Sequence, residues 1–237
     1  GHLRYMFEFI RPEIQQYFVA TNLSGRPFNR EIRTIVYTRA QNENDNHPFG
    51  TEHDITQHEY EYMHHSLNVK KVPKEAARIT VGGPDCQKPY HASRINISAM
   101  SFGALGHHAV MAMNLGAKNG NFAHNTGEGG LSPYHLKHGG DIIWQLGTAY
   151  FGCRTKDGHF DEAQFDKKAN LDVVKMIEIK LSQGAKPSHG GVLPAAKITP
   201  EIAEIRGIEM GEDCLSPPTH SAFSTPKELL QFVAHLR

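Results

Sequence analysis

Apolar positions follow two different rhythms along this chain. Over Leu3–Phe18, the residues Met6, Phe7, Phe9, Ile10, Ile14, Tyr17 and Phe18 recur at near-helical spacing. Pro12 is expected to end or kink one turn of that helix, because it has no N–H to donate. Asn29–Gln41 predicts a second helix with Ile32, Ile35 and Val36 on one face. The run Asn42-Glu43-Asn44-Asp45-Asn46-His47-Pro48-Phe49-Gly50 is built of turn formers. From there to Pro84 the pattern is polar, aromatic and weakly periodic. Tyr60, Tyr62 and Met63 are expected to pack this stretch over a core as a cover, in preference to an independent domain.

From Ser93 onward short apolar runs alternate with helical patterns. Ile95–Met100, Phe122–Asn125, Val174–Leu181 and Asp213–Ser216 read as strands. His107–Lys118 reads as a helix with Val110, Met111, Met113, Leu115 and Ala117 available for packing. Asp141–Tyr150 and Asp161–Ala169 read as an insertion, with Gly152 and the Asp157-Gly158 turn between them. Thr199 followed by Pro200 predicts the start of a helix over Pro200–Arg206, and Ser224/Thr225-Pro226 caps a last helix over Lys227–Leu236.

This alternation predicts an α/β fold with a parallel sheet. A closed barrel needs eight strand–helix units and about 250 residues, and only about four units fit here. The expected architecture is therefore the first half of a TIM (β/α)8 barrel over residues 91–237. A helical and irregular region over residues 1–90 precedes it. Strands near Ile95–Met100 and Asp213–Ser216 would form two open edges, with Ile97, Ala99 and Leu215 partly uncovered. The missing barrel half, another copy of the chain, or residues 1–90 would have to cover them, since exposed edges are a liability.

Composition narrows the function classes. Lys+Arg and Asp+Glu are both 25 in 237 residues, so the formal charge is zero. That gives no general electrostatic case for nucleic acid or an anionic membrane. The hydrophobic share of 39% fits a soluble globular protein, and no apolar run approaches the roughly 18 residues of a membrane span. The N-terminus lacks the basic-then-apolar pattern of a signal peptide. Cys86, Cys153 and Cys214 lie far apart, offering no disulfide framework, zinc pair or local iron–sulfur motif. Reduced thiols in a cytoplasmic setting are the expectation. Among the 16 histidines, His58-Glu59…His64-His65 lacks the i, i+4 pair of HExxH, and His107-His108 point to different faces of a helix. No metal site is expected.

Candidate chemistry gathers where glycine follows the predicted strands. The segments are Ser98-Ala99-Met100-Ser101-Phe102-Gly103, Asn125-Thr126-Gly127-Glu128-Gly129-Gly130 and Gln183-Gly184-Ala185-Lys186-Pro187. Glycine lets backbone approach a ligand closely. One carboxylate and one lysine among such loops suggest a site for an anionic cofactor and an anionic substrate. Glu128 reads either as a carboxylate favoured by a helix N-terminus or as a group that hydrogen-bonds an amine or relays protons. Lys186 reads either as a solvated surface lysine or as a clamp for a substrate carboxylate, with Gln183 as a donor or acceptor to the same ligand. The small residues Ser98, Ala99, Met100 and Ser101 suit close strand–helix packing or a flat ring laid against them. Ser216 and His220 end the fourth predicted strand, where barrel enzymes place functional groups, and His220 reads equally as a structural histidine. The chain contains no GxSxG, Walker A or GxGxxG motif.

At Ser98–Leu105, Asn125–Gly130, Lys180–Gly191 and Ser216–His220, in that order, the sequence resembles the FMN-binding synthase domain of glutamate synthases. The likeness runs over Arg94–Arg237 and is greatest to the shorter, stand-alone glutamate-synthase-like proteins. It implies a TIM barrel that binds FMN and reduces 2-iminoglutarate, formed from 2-oxoglutarate and ammonia, to L-glutamate. It further implies that Ser98, Ala99, Met100, Ser101 and Asn125 lie near the flavin and that Glu128 orients or protonates the imino group. Gln183 and Lys186 would hold the 2-oxoglutarate carboxylates. Where the large enzymes carry Gly-Glu-Gly-Gly-Gln, this chain has Ser188-His189-Gly190-Gly191-Val192, which alters the substrate surroundings. The cysteine nucleophile of the glutaminase domain and the cysteine cluster of the iron–sulfur centre are absent from these residues. The second barrel half, with its main flavin phosphate site, is absent too, and the electron donor is unspecified. Two further readings stand beside this one: a different FMN-dependent amine or 2-oxoacid chemistry, and a non-catalytic half-barrel acting as an assembly partner.

Overall fold

The computed structural model describes residues 30–44, 61, 63–183 and 189–237. The chain divides into two compact units, Gly1–Val69 and Lys70–Arg237. In the first unit a helix, α1, spans Arg30–Ala40 as its spacing predicts. Its Ile32 and Val36 are exposed, so the expected apolar stripe is not a buried face. Met63, expected to pack as part of a cover, is likewise exposed. The helix expected over Leu3–Phe18, together with Tyr60 and Tyr62, lies outside the described residues.

The second unit opens with an antiparallel hairpin, β1 (Arg78–Val81) with β2 (Tyr90–Ser93). Helix α2 (His107–Gly120) leads into β3 (His124–Asn125), and the one-turn α3 (Pro133–Leu136) leads into β4 (Ile142–Leu146). Helix α4 (Glu162–Ala169) then connects to β5 (Val174–Ile179). β3, β4 and β5 form one parallel sheet in that order. Ile97 extends it by a parallel bridge to His124, donating its N–H to Ala123 O at 2.8 Å and accepting from Asn125 N at 3.1 Å. The α/β class with a parallel sheet stands as predicted. No closed barrel is formed by the described strands.

Ile95–Met100, expected as a strand, contributes only the single bridge at Ile97, and two further expectations are corrected. Asp141–Tyr150 is no insertion: Ile142–Leu146 is the central strand, buried at every position. A strand covered on both faces does not alternate, and its one polar residue, Gln145, donates its side-chain amide to Glu178. Conversely, Asp213–Ser216 is not the fourth parallel strand. Its β7 (Cys214–Leu215) pairs antiparallel with β6 (Val192–Leu193), separately from the sheet. Among the described residues the parallel sheet ends at β5 on one side and at the single Ile97 bridge on the other. Leu215 and Ala99 are exposed and Ile97 is half-buried.

Two apolar clusters fix these elements. Trp144 stacks on Phe165 of α4 with ring centroids 5.5 Å apart, and Leu146, Tyr150 and Phe232 complete that core. Phe232 belongs to the last helix, α6 (Pro226–Leu236), whose Thr225 forms a capping box with Glu228. The second core joins Phe102 and Val110 to Ile202 and Ala203 of α5 (Pro200–Arg206). There Thr199 caps the N-terminus by accepting from Ile202 N, and Pro200 fills the first turn. No helix among the described residues is long and apolar enough to cross a membrane.

Candidate active site

Successive side chains on a strand point to opposite faces. On β4, Trp144 and Leu146 enter the helix-covered core, so Gln145 points to the other face. Gln145 lies opposite Glu178 of β5 in register. The Glu178 carboxylate Oε1 accepts from Gln145 Nε2, and from Asn125 Nδ2 of β3 at 2.9 Å. Three neighbouring strands thus contribute one polar layer. Asn125 Oδ1 in turn accepts the Gly127 N–H at 2.9 Å, which sets the path of the glycine loop. At Gly127 the backbone has φ +66, and a Cβ there would stand 2.8 Å from Ser101 N. Only glycine brings the two loops this close.

One step further along the strands lies Glu128. Its Oε2 accepts from Gln183 Nε2 at 2.7 Å and meets Lys180 Nζ at 3.2 Å, while the same Nζ donates to Gln183 Oε1 at 3.0 Å. Both charged side chains are about three-quarters or more buried, at 26% and 19% exposure. The loop 189–191 closes over this group. A methyl on Gly191 would collide with Glu128 Oε1, and Gly191 O accepts from Ser216 N at 2.9 Å.

The structure therefore brings Asn125, Glu128 and Gln183 together, with Ser101 and Ser216 held close by backbone. Met100 is tied to the same loops, its N–H donating to Asn125 O at 3.2 Å and its carbonyl meeting His135 Nε2 at 3.0 Å. Ser98 and Ala99 are exposed beside them. Lys186 lies within residues 184–188, outside the described residues. His220 is engaged on both ring nitrogens, Nδ1 with Tyr150 Oη at 2.9 Å and Nε2 with Lys180 O at 2.8 Å. Burial holds its pKa below the usual histidine value. It is built as a brace behind Lys180, with no nitrogen left for a substrate.

Four residues at this site were not legible as site residues: Lys180, Glu178, Gln145 and Arg206. The signal for the first two is the strand period, since Glu178 and Lys180 are two apart and share a face. Arg206 ends α5, buried, with its guanidinium 5.0 Å from the Phe151 ring centroid and 3.4 Å from Phe102 O. Its Nε is buried without a partner, and among the described residues no carboxylate lies within ion-pair distance. Burial lowers its pKa, opposed by Cys214 and by the charge of Glu128. Among the described residues no group of three or more His, Cys, Asp or Glu could hold a metal ion.

The fold is of the α/β class with a parallel sheet, with Asn125, Gln145 and Glu178 on its strands and Glu128, Lys180 and Gln183 just beyond them. The particular family is shown by sequence: the conserved region in glutamate synthase matches residues 27–237, and this chain belongs to the glutamate synthase family. It is 33% identical to the glutamate synthase large subunit-like protein YerD of Bacillus subtilis (strain 168), over 100% of this chain and 53% of that protein. It is 38% identical to an archaeal glutamate synthase [NADPH] of Archaeoglobus fulgidus over 55% of this chain and 23% of that one. Against the glutamate synthase [NADPH] large chain of B. subtilis it is 34% identical, over 61% of this chain and 9% of that chain. The chain thus spans about half, or less, of the length of these relatives.

Proposed function

We propose that this chain carries the first part of an FMN-dependent oxidoreductase site that converts 2-oxoglutarate and ammonia, through 2-iminoglutarate, to L-glutamate. The observation that carries the reading is the Glu128–Gln183–Lys180 triangle beneath the glycine loops. FMN, when bound, supplies the hydride that reduces C2 of the imine. The residues present fit that cofactor. Gln145 Oε1 is a buried acceptor that lacks a partner within the protein, and Ser98, Ala99 and Ser101 offer small side chains for a flat ring, with the Met100 N–H held by Asn125 O.

Glu128 orients the imino nitrogen by accepting its N–H and relays a proton to it. Lys180 holds Glu128 in place through their ion pair, and Gln183 does so by its hydrogen bond while offering its remaining amide hydrogen to substrate. Arg206 and Lys186 take the substrate carboxylates. Ser216 lines the far wall, and His220 braces Lys180 through its carbonyl. The open β5 edge and the exposed Leu215 and Ala99 suit closure by a further segment of the same family domain or by another copy of the chain.

The test is spectroscopic and kinetic. The intact protein should retain a flavin absorption spectrum after FMN is added and the unbound FMN removed. Its chemically reduced flavin should be reoxidised when 2-oxoglutarate and ammonia are supplied together. Flavin binding without that reoxidation would favour another 2-oxoacid or amine, and no flavin binding would favour the assembly-partner reading.

A further inference from the structure

Gly127 is held at both of its backbone polar groups. Asn125 Oδ1 accepts its N–H at 2.9 Å, and Thr126 Oγ1 donates to its carbonyl at 2.8 Å. The next residue is Glu128, so the set of these peptides decides where that carboxylate goes. The Thr126 end is tied to β4, because the same hydroxyl accepts from Gln145 N at 3.1 Å. The Asn125 end depends on which way an amide turns. A carboxamide presents an oxygen on one side and an NH2 on the other, and only the oxygen can take the Gly127 N–H.

Glu178 decides that turn. From β5 it reaches over β4 to β3, where its Oε1 accepts from Asn125 Nδ2 at 2.9 Å. The Gln145 Nε2 of β4 donates to the same oxygen and holds it over the middle strand. A carboxylate oxygen only accepts. Turned over, Asn125 would set its oxygen against that carboxylate and its NH2 against the Gly127 N–H. Acceptor would face acceptor, and donor would face donor. Asn125 is 5% exposed and Gly127 is buried, so such a mismatch is not repaired by bulk water.

We propose that Glu178 is a positioning residue for Glu128. It fixes the orientation of the Asn125 amide, the amide fixes the Gly127 peptide, and that peptide sets the place of the Glu128 carboxylate. The kinetic consequence rests on the role proposed above for Glu128 in imine reduction, whereas the geometric relay stands without it.

The experiment compares the intact wild-type protein with Glu178→Met, Glu178→Gln, Asn125→Ala and the Glu178→Met/Asn125→Ala double variant. Two quantities are measured: amide hydrogen exchange residue by residue, and reoxidation of reduced flavin by 2-oxoglutarate and ammonia. Glu178→Met removes the acceptor at similar length. It should speed exchange at Gly127 about tenfold, the equivalent of one hydrogen bond. The His124 and Ile142 amides, bonded to Asp141 O and Val173 O in the sheet, should exchange as in wild type. The same variant should lower kcat about tenfold with little change in the 2-oxoglutarate KM. Glu178→Gln keeps an acceptor oxygen and should restore most of both losses. The double variant should lose no more than Asn125→Ala alone, because both changes undo one bond. Unchanged exchange at Gly127 in Glu178→Met would overturn the relay. So would exchange that rises equally at His124 and Ile142, or a Glu178→Gln protein no better than Glu178→Met. A wild-type protein that binds flavin but shows no such turnover would overturn the reaction reading alone, and the Gly127 exchange would still decide whether Glu178 sets the loop.

Discussion

Lys180 Nζ stands 3.2 Å from Glu128 Oε2 and 3.0 Å from Gln183 Oε1, so one ammonium spans a carboxylate and an amide that are themselves bonded at 2.7 Å. Partly buried charges need such partners, since an uncompensated one is costly. Glu128 arrives from the loop after β3, and the other two come from the end of β5. The pair therefore ties the loop after β3 to the end of β5.

Removing the charge of Glu128 should separate chemistry from binding. Glu128→Gln keeps the size and one acceptor but loses proton exchange, so kcat should fall on the order of a hundredfold or more, the usual scale for a lost general acid–base group. The substrate KM should change far less. Rates of flavin reoxidation by 2-oxoglutarate and ammonia in the intact protein measure this, and an unchanged kcat would leave Glu128 a purely structural carboxylate.

Gly191→Ala should inactivate without unfolding. The added methyl would meet the far end of Glu128, a group able to swing aside, while the backbone around it stays put. Stability should fall by about 1–3 kcal/mol, the scale of displacing a partly buried carboxylate from its partners, leaving the fold intact, whereas kcat should drop toward that of Glu128→Gln. Denaturant midpoints and rates measured side by side check both halves. A loss well beyond about 3 kcal/mol, or unfolding, would mean that the loop, and not the glutamate, yields.

His220→Ala probes a brace. It removes bonds to Tyr150 Oη and Lys180 O and a stacking contact with Phe223, whose ring centroid is 4.6 Å away. The loss of two hydrogen bonds and a packed ring should cost about 2–4 kcal/mol. Because neither ring nitrogen is free to exchange protons with substrate, the pH dependence of kcat should keep its shape. A shifted profile with intact stability would instead make His220 a participant in the chemistry.

Much of this was legible locally. Thr199-Pro200 and Thr225-Pro226 announced their helices because capping depends on a few adjacent residues. Asn125, Glu128 and Gln183 stood out as polar groups among glycines. Lys180 did not, since its role depends on which loop lies across from it. β4 was missed because burial on both faces erases alternation, and because Gln145 places a carboxamide where a sequence pattern expects an apolar residue. β7 was misassigned because a two-residue strand carries no periodicity, and its partner β6 is supplied by the turn through Gly190 and Gly191.

Acid should weaken the fold through His124. Its imidazole is fully buried, neither ring nitrogen has a partner, and its ring centroid lies 5.3 Å from that of His135. Burial, reinforced by the neighbouring imidazole, pushes its pKa down to about 4. In the unfolded chain the same group titrates near its ordinary value of about 6.5. Between those values the unfolded state holds the extra proton, so stability is fully present above about pH 6.5 and is lost as pH falls toward about 4. The linked loss approaches about 3 kcal/mol. His135 and His220, whose pKa values burial also lowers, act in the same direction. Asp161 and Glu228 are held below the carboxylate range by capping bonds, so their contributions fade only at lower pH. Urea unfolding of the intact protein at pH 7 and pH 4.5 measures the slope. His124→Leu should reduce the difference between the two pH values by a large part of that amount, and a variant with the wild-type pH dependence would place the acid sensitivity elsewhere.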